Sequence, residues 1–312
     1  MLQAVSLPRR IWLALAIVYV AWGSTYVGIR LMDRSAPAML GSAIRYVSAG
    51  LLLYGFLTLR RGRAPRVAAR ELASLTLVGV LLLTGGNGLV TLAERHVPAG
   101  LASLLVASMP LWVLVLRTAA GDRPRAATLG GLAIGFVGVA LLVLRGGGHG
   151  ASTVQMLVVV AGALSWALGS FLSARLPLPA DAADGTAIQM LIGGTALGAI
   201  GTLGGEHWGA FAHTAADAWL AIAFLSLVGS ILAFTAYVWL LRNAPISKIS
   251  TYAYVNPVVA VLLAALLLGE RITGLTVIGG AVIVAAVAVV MRAEARTPPP
   301  PPRPVAPVAL EG

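Results

Sequence analysis

The sequence predicts an all-α integral membrane protein with ten transmembrane helices. Of its 312 residues, 59% are hydrophobic and 11% are charged, and the mean hydropathy is +0.91, well above that of soluble globular proteins. A helix needs about 20 apolar residues to cross a bilayer, so ten helices would occupy roughly two thirds of the chain. A duplicated segment and an uneven distribution of arginine support the same prediction.

The apolar segments follow one another with short connections, as expected for antiparallel neighbours in a bundle. The first segment follows Arg9 and Arg10 and resembles a signal peptide, but its apolar stretch is longer than a typical signal sequence and ends in polar and bulky residues. We therefore predict a retained first helix. The predicted spans are 11–29, 37–59, 72–93, 98–116, 126–144, 154–174, 186–203, 218–241, 246–268 and 273–291.

Two stretches of the chain are copies of one pattern. Pro98 and Pro110 recur, at the same spacing, as Pro245 and Pro257, and a charged turn follows each pair. The turn in the second copy is Gly269-Glu270-Arg271, which we interpret as an external turn between two helices. Five helices per copy is an odd number, so the second copy must enter the membrane from the opposite side.

The sequence thus predicts two inverted five-helix repeats, 10–145 and 152–292, an architecture that recurs in transporters. Basic residues accumulate on cytoplasmic loops, and most arginines fall on one side when both termini are cytoplasmic. The net charge of +11 then belongs to a rim that meets anionic lipid headgroups rather than to a nucleic-acid interface. The Pro-rich tail, 297–312, is predicted to be disordered and cytoplasmic.

Several classes of function lack their motifs in this sequence. The chain has no cysteine, and its four histidines form no metal-ligating pattern. Its glycine-rich stretches lack the strand and the lysine of a nucleotide loop, and no GxSxG motif occurs. We therefore predict no enzyme, no cofactor, no metal site and no nucleic-acid partner.

The candidate substrate site consists of polar and aromatic residues within the spans. Lys248, Tyr252 and Asn256 lie at i, i+4 and i+8 and therefore share one helix face. Each serine or threonine hydroxyl among the candidates could instead bond to the preceding turn of its own helix. The predicted substrate-binding residues are Trp22, Thr25, Tyr26, Arg45, Asn87, Ser108, Trp166, Ser170, Lys248, Tyr252 and Asn256.

Ionisable residues and prolines within the spans carry further expectations. Arg45 lies at membrane depth, where it could attract an anionic substrate group or extend to the surface. Pro110 and Pro257 could act as gating kinks or as packing features. No acidic residue lies in the middle of a span, so the sequence offers no obvious central proton site. Glu94 is the nearest candidate for one, and the favoured alternative is a solvated helix end with an adjacent ion partner.

The early Trp22-Gly23-Ser24, the Arg45-Tyr46 of the second span and the repeated prolines with their Gly269-Glu270-Arg271 turn together resemble the EamA family of the drug/metabolite transporter superfamily. The resemblance covers roughly residues 11 to 291 and rests on order, spacing and duplication. It implies ten helices in two inverted repeats, a central cavity and export of amino acids or other small metabolites. The residues that carry it are Trp22, Gly23, Ser24, Arg45, Tyr46, Gly86, Asn87, Gly88, Pro245, Pro257, Gly269, Glu270, Arg271, Gly279 and Gly280.

The functional prediction is a secondary transporter of the bacterial inner membrane that exports small metabolites, such as amino acids or related amphipathic compounds, by alternating access. Its partners would be the substrate and membrane lipids, with the chain monomeric or homodimeric. One alternative is a channel or scramblase-like pore that uses the same cavity without alternating gates. Another is a membrane scaffold that uses the Pro-rich tail as a ligand segment.

Overall fold

The computed structural model describes residues 7–145, 151–244, 249 and 251–295, and these residues are helical with short connections and no strand. Nine of their helices are long and apolar enough to cross a membrane. The prediction of an all-α membrane protein is therefore confirmed. The Pro-rich tail, Lys248 and Pro245 lie outside the described residues.

The helices are numbered here in chain order. α3 contains a π-helical segment, Val80–Gly88, and α8 consists of Ala216–Phe224, a π-helical Leu225–Leu232 and Ala233–Asn243. A short 3-10 helix, Trp208–His213, precedes α8. The remaining bounds are α1 Leu7–Met32, α2 Ala38–Arg61, α3 Ala69–Glu94, α4 Ala99–Ala119, α5 Ala126–Arg145, α6 Thr153–Ser173, α7 Ala182–Leu203, α9 Tyr252–Leu268 and α10 Gly274–Ala295.

Large apolar side chains cover the outside of the bundle. Leu59, Leu203 and Leu266 are each more than three quarters exposed, an arrangement that is unfavourable in water but suited to lipid. Small residues instead fill the contacts between helices. A Cβ added at Gly194 of α7 would lie 2.8 Å from the backbone nitrogen of Val47 in α2, so this glycine allows the two helices to approach closely.

The helix contacts follow a reciprocal pattern. α2 packs most extensively on α7, and α5 packs most extensively on α10. α1 packs on α8 and α9, while α6 packs on α3 and α4. Helices of the two halves therefore pack across one another around the interior of the bundle.

Both predicted kink positions lie in irregular or proline-containing helices. α4 is interrupted at Ala107 and Ser108, and Pro110 lies in the first turn of the segment that follows, Met109–Ala119. Pro257 lies inside α9, which remains a continuous helix. Proline in a helix interior leaves one carbonyl without its amide partner, as at Pro257. Pro110 lies in a first turn, where proline removes no helical hydrogen bond.

Candidate functional site

A central cavity opens between the two halves of the chain. Residues of α1 to α4, α6, α8 and α9 line it, so both halves contribute to one space. The predicted site residues that line this central cavity are Trp22, Thr25, Tyr26, Arg45, Asn87, Pro110, Trp166, Tyr252, Asn256 and Pro257.

Two predicted hydroxyls do not line the central cavity. Ser108 is fully buried and donates to the carbonyl of Leu105 at 2.6 Å. Ser170 donates to the carbonyl of Trp166 at 2.9 Å. In both cases the hydroxyl bonds to the preceding turn of its own helix, which is the packing role that a buried serine commonly takes.

Aromatic side chains form one wall of the central cavity. The Trp22 ring lies 5.3 Å from Tyr252, 5.3 Å from Tyr237 and 5.5 Å from Phe234, measured between ring centroids. Tilted and edge-on contacts at these distances are favourable beyond the area that they bury. The indole nitrogen of Trp22 also donates to the carbonyl of Gly229 at 3.2 Å. The wall therefore joins α1 to α8 and α9.

The π-helical segments bring backbone polarity to the same space. Gly86 and Asn87 of α3 and Gly229 of α8 line the cavity. A π-helical turn leaves carbonyls out of the regular helical ladder, and such turns are frequent at functional sites. Trp22 of α1 donates to Gly229 in α8, and Ser165 of α6 donates to Leu81 in α3 at 2.8 Å. Each half thus supplies one donor to the π-helical segment of the other half.

Arg45 is a buried cation in the cavity wall. It is 3% exposed, so it does not extend to the surface. Its Nε donates to the Ser230 hydroxyl at 3.2 Å, and its guanidinium carbon lies 4.6 Å from the centroid of the Tyr46 ring. Its Nη1 is buried without a hydrogen-bond partner. A guanidinium with an unused donor suits a carboxylate or another anionic group.

Asn256 supplies the complementary polarity. Its Oδ1 is buried without a hydrogen-bond partner, and the residue lines the same cavity as Arg45. An amide oxygen is an acceptor, so it suits an ammonium, amide or hydroxyl donor. Unsatisfied buried groups are unfavourable by about 1–3 kcal/mol each, and a ligand that bonds to both would relieve that cost.

The favoured expectation for Glu94, a solvated helix end, is wrong. This residue is fully buried, and neither carboxylate oxygen has a hydrogen-bond partner. The last turn of α3, Leu89–Glu94, packs against α1, α2, α4 and α6 instead of projecting into solvent. Sequence position alone suggested a solvated helix end, because the enclosure depends on helices that are distant in the chain.

A second cavity lies at the end of the bundle where α1 ends. Its wall is strongly charged, and we call it the vestibule. Its members come from three regions that are distant in the sequence, namely the end of α1, the end of α3 and the end of α9, each with the connection that follows. The vestibule is lined by Arg30, Asp33, Arg34, Arg95, Leu268 and Glu270.

Two glutamates at this end cap helices of the other half. Glu270 accepts hydrogen bonds from the backbone nitrogens of Ala99 at 2.8 Å and Gly100 at 3.0 Å, at the start of α4. Glu206 accepts in the same way from the first residues of α2, at 3.2 and 2.9 Å. Both capped helices follow a proline that has no side-chain acceptor, so the glutamate satisfies donors that would otherwise lack partners. The Glu270 turn therefore connects α9 to α4.

The apolar helices and the central cavity with its buried guanidinium define a multi-pass membrane protein of the transporter class. The sequence profile of the EamA-like transporter family matches residues 10–144 and again 153–292. The chain therefore belongs to the EamA-like transporter family, and the resemblance seen in the sequence is confirmed.

Relatives of known name support this class. The chain is 39% identical over 261 residues to "Uncharacterized inner membrane transporter YedA" of Escherichia coli (strain K12), covering 83% of each chain. It is 30% identical over 280 residues to "Probable terminal-alkyne amino-acid exporter" of Streptantibioticus cattleyicolor, covering 88% of this chain and 91% of the relative. The predicted multi-pass inner-membrane localisation is confirmed, and the names indicate a transporter rather than an enzyme.

A solved crystal structure shares the fold. It superposes with a TM-score of 0.59 at 22% identity, and the match covers 89% of this chain and 96% of that chain. At this identity the likeness concerns the arrangement of helices alone.

Proposed function

We propose that this protein is a secondary transporter that exports small metabolites, such as amino acids or related amphipathic compounds, by alternating access through the central cavity. The observation that carries the proposal is the presence of an unpaired Arg45 donor and an unpaired Asn256 acceptor in one cavity that has an aromatic wall. An α-amino acid presents a carboxylate and an ammonium, which match these two groups. The name of the Streptantibioticus relative, an amino-acid exporter, favours the same class of substrate.

We also propose that α1 to α5 and α6 to α10 form two inverted repeats, 10–145 and 152–292, and that all ten helices cross the membrane with both termini cytoplasmic. The family profile matches the chain twice. The reciprocal packing of α1 on α8 and α9, and of α6 on α3 and α4, supports a two-fold relation. In this topology the vestibule faces the outside, and transport requires it to open and close.

A growth-protection screen followed by efflux from proteoliposomes tests the proposal. Cells that overproduce the protein would be challenged with toxic amino-acid analogues and drugs. Purified protein would then be reconstituted in liposomes loaded with each of the twenty amino acids in labelled form. We expect faster efflux of at least one amino acid than from protein-free liposomes. Equal efflux for every compound would contradict the proposal.

A further inference from the structure

Two carboxylates at the vestibule end of the bundle have no hydrogen-bond partner. Glu94 is fully buried, and both of its oxygens lack hydrogen bonds. Asp33 lines the vestibule, and both of its oxygens are likewise buried without hydrogen bonds. Glu94 lies one helical turn beyond Val90, which lines the central cavity, and directly before Arg95, which lines the vestibule. Glu94 therefore lies between the two spaces, and Asp33 lies in the wall of the vestibule.

Several charged groups surround Glu94 without pairing with it. Arg30 of α1, Arg45 of α2, Asp33 after α1 and Glu270 after α9 interact with it electrostatically, and Tyr26 of α1 also faces it. The ion pairs found among the described residues involve none of these side chains.

The groups around Asp33 are Arg30, Arg95 and Glu206. Arg30 of α1 does not direct all of its donors at Asp33, because its Nη1 donates to the backbone carbonyl of Glu94. Glu206 and Glu270 are already satisfied by the helix starts that they cap. Asp33 and Glu94 thus remain the two carboxylates of this end that the protein leaves without hydrogen bonds, among the residues that the structure describes.

A carboxylate enclosed without hydrogen bonds is unfavourable in its ionised form, and a bound proton removes that cost. For Asp33, burial raises the pKa to about 8, although nearby Arg95 and Arg30 oppose the shift. This carboxyl group therefore holds a proton at neutral pH.

We propose that Asp33 and Glu94 form a proton-binding pair that is linked to substrate binding at Arg45, an inference that rests on the proposed transport function. When Glu94 is protonated, the positive charge of Arg45 is uncompensated and available to a substrate carboxylate. When Glu94 loses its proton, the negative charge faces Arg45 and weakens that site. Proton and carboxylate therefore bind cooperatively, and by linkage each strengthens the other.

Infrared spectroscopy of the reconstituted protein tests the pair directly, with the proton as the only probe. Solvent-exposed carboxylates are ionised at pH 7, so a protonated carboxylic acid band at that pH must come from perturbed groups. We expect wild type to show such a band and to lose the Asp33 part of it as the pH rises past about 8. Glu94→Gln and Asp33→Asn should each lose part of it, and the exposed control Asp217→Asn should match wild type. Absence of the band in wild type would overturn the proposal, whatever the variants do.

A second measurement tests the link to Arg45. In counterflow with a labelled amino acid identified by the efflux screen, we expect KM of wild type to rise at least about fivefold between pH 6 and pH 9, a typical coupling. Glu94→Gln should keep the low-pH KM throughout, and Glu94→Asp should restore the dependence. A Glu94→Gln profile that matches wild type would refute the link. Lack of counterflow in wild type would refute the proposed transport function, while the infrared titration would still report on the proton site.

Discussion

At the scale of single residues, we propose that Arg45 sets the charge preference of the central cavity. Its buried Nη1 is the unused donor, while Ser230 and the Tyr46 ring hold the guanidinium in place. Lysine could carry the charge but not both contacts, because the guanidinium donates in two directions at once. The geometry thus favours an anionic substrate group over a merely polar one.

The substitution Arg45→Gln should weaken binding of amino acids by removing that donor. A hydrogen bond to a charged group contributes about 1.5–3 kcal/mol, so we expect KM to rise by roughly one to two orders of magnitude in proteoliposome uptake. The matched control is Arg145→Gln, because Arg145 is an exposed arginine at the end of α5. An unchanged KM in Arg45→Gln would remove this residue from the site.

The substitution Asp33→Asn should change how stability depends on pH. Burial raises the pKa of Asp33 to about 8, above its value of about 3.9 in an unfolded chain. The folded state therefore binds this proton more tightly than the unfolded chain does, and the bound proton stabilises the fold at low pH. That stabilisation is lost as the pH rises through the window up to about 8. We expect the Tm of wild type in detergent to fall between pH 5 and pH 9, and Asp33→Asn to fall less. Parallel curves for the two proteins would contradict this assignment.

At the scale of helices, the space beside a glycine shows whether that side of the helix contacts another helix. Gly194 meets the backbone of α2, whereas a Cβ at Gly55 would meet nothing within 4 Å. We expect Gly194→Ala to destabilise the protein by about 1–3 kcal/mol through overpacking. Gly55→Ala, also in a helix interior, should be neutral or stabilising by about 0.5–1 kcal/mol. Thermal unfolding in detergent measures both, and equal effects would contradict the close packing of α2 on α7.

The Glu270 cap should help to keep the vestibule end closed. Loss of a capping acceptor costs about 0.5–2 kcal/mol, and this cap joins α9 to α4. We expect Glu270→Gln to increase the rate at which a Ser103→Cys probe in the cavity reacts with an impermeant maleimide added from the vestibule side. The chain has no native cysteine, so the reaction reports one site.

Asp122→Asn is the matched control for that experiment. Asp122 occupies the corresponding turn of the first copy, but it pairs with Arg117 at 2.7 Å on an exposed surface. Its loss should leave the labelling rate unchanged. A rate for Glu270→Gln equal to that of wild type and Asp122→Asn would show that the cap does not control access.

At the scale of the whole molecule, composition and periodicity were enough to predict the membrane class, because lipid imposes long apolar helices on any spanning chain. The aromatic and amide residues of the cavity were also predictable, since a polar side chain within a span needs a polar space. Tyr252 and Asn256 on one face of α9 are examples. The π-helical segments were not predictable, because their carbonyl partners, such as Ser165, come from distant helices.

The solvated helix end expected at Glu94 was the largest error, because the sequence does not show which helix ends the fold encloses. Glu94 and Glu270 both lie at helix ends, where a charge is ordinarily solvated. One is buried by four helices, and the other caps a helix of the opposite half. Only the assembled bundle distinguishes a solvated end from the region between two cavities.

Counterflow tests the central claim, alternating access through the cavity, most directly. Proteoliposomes preloaded with an unlabelled amino acid would be diluted into a trace of the same compound in labelled form. A carrier exchanges one molecule for another, so we predict transient accumulation of label above the outside concentration. A channel or scramblase-like pore has no alternating site, and label that only equilibrates would contradict the account.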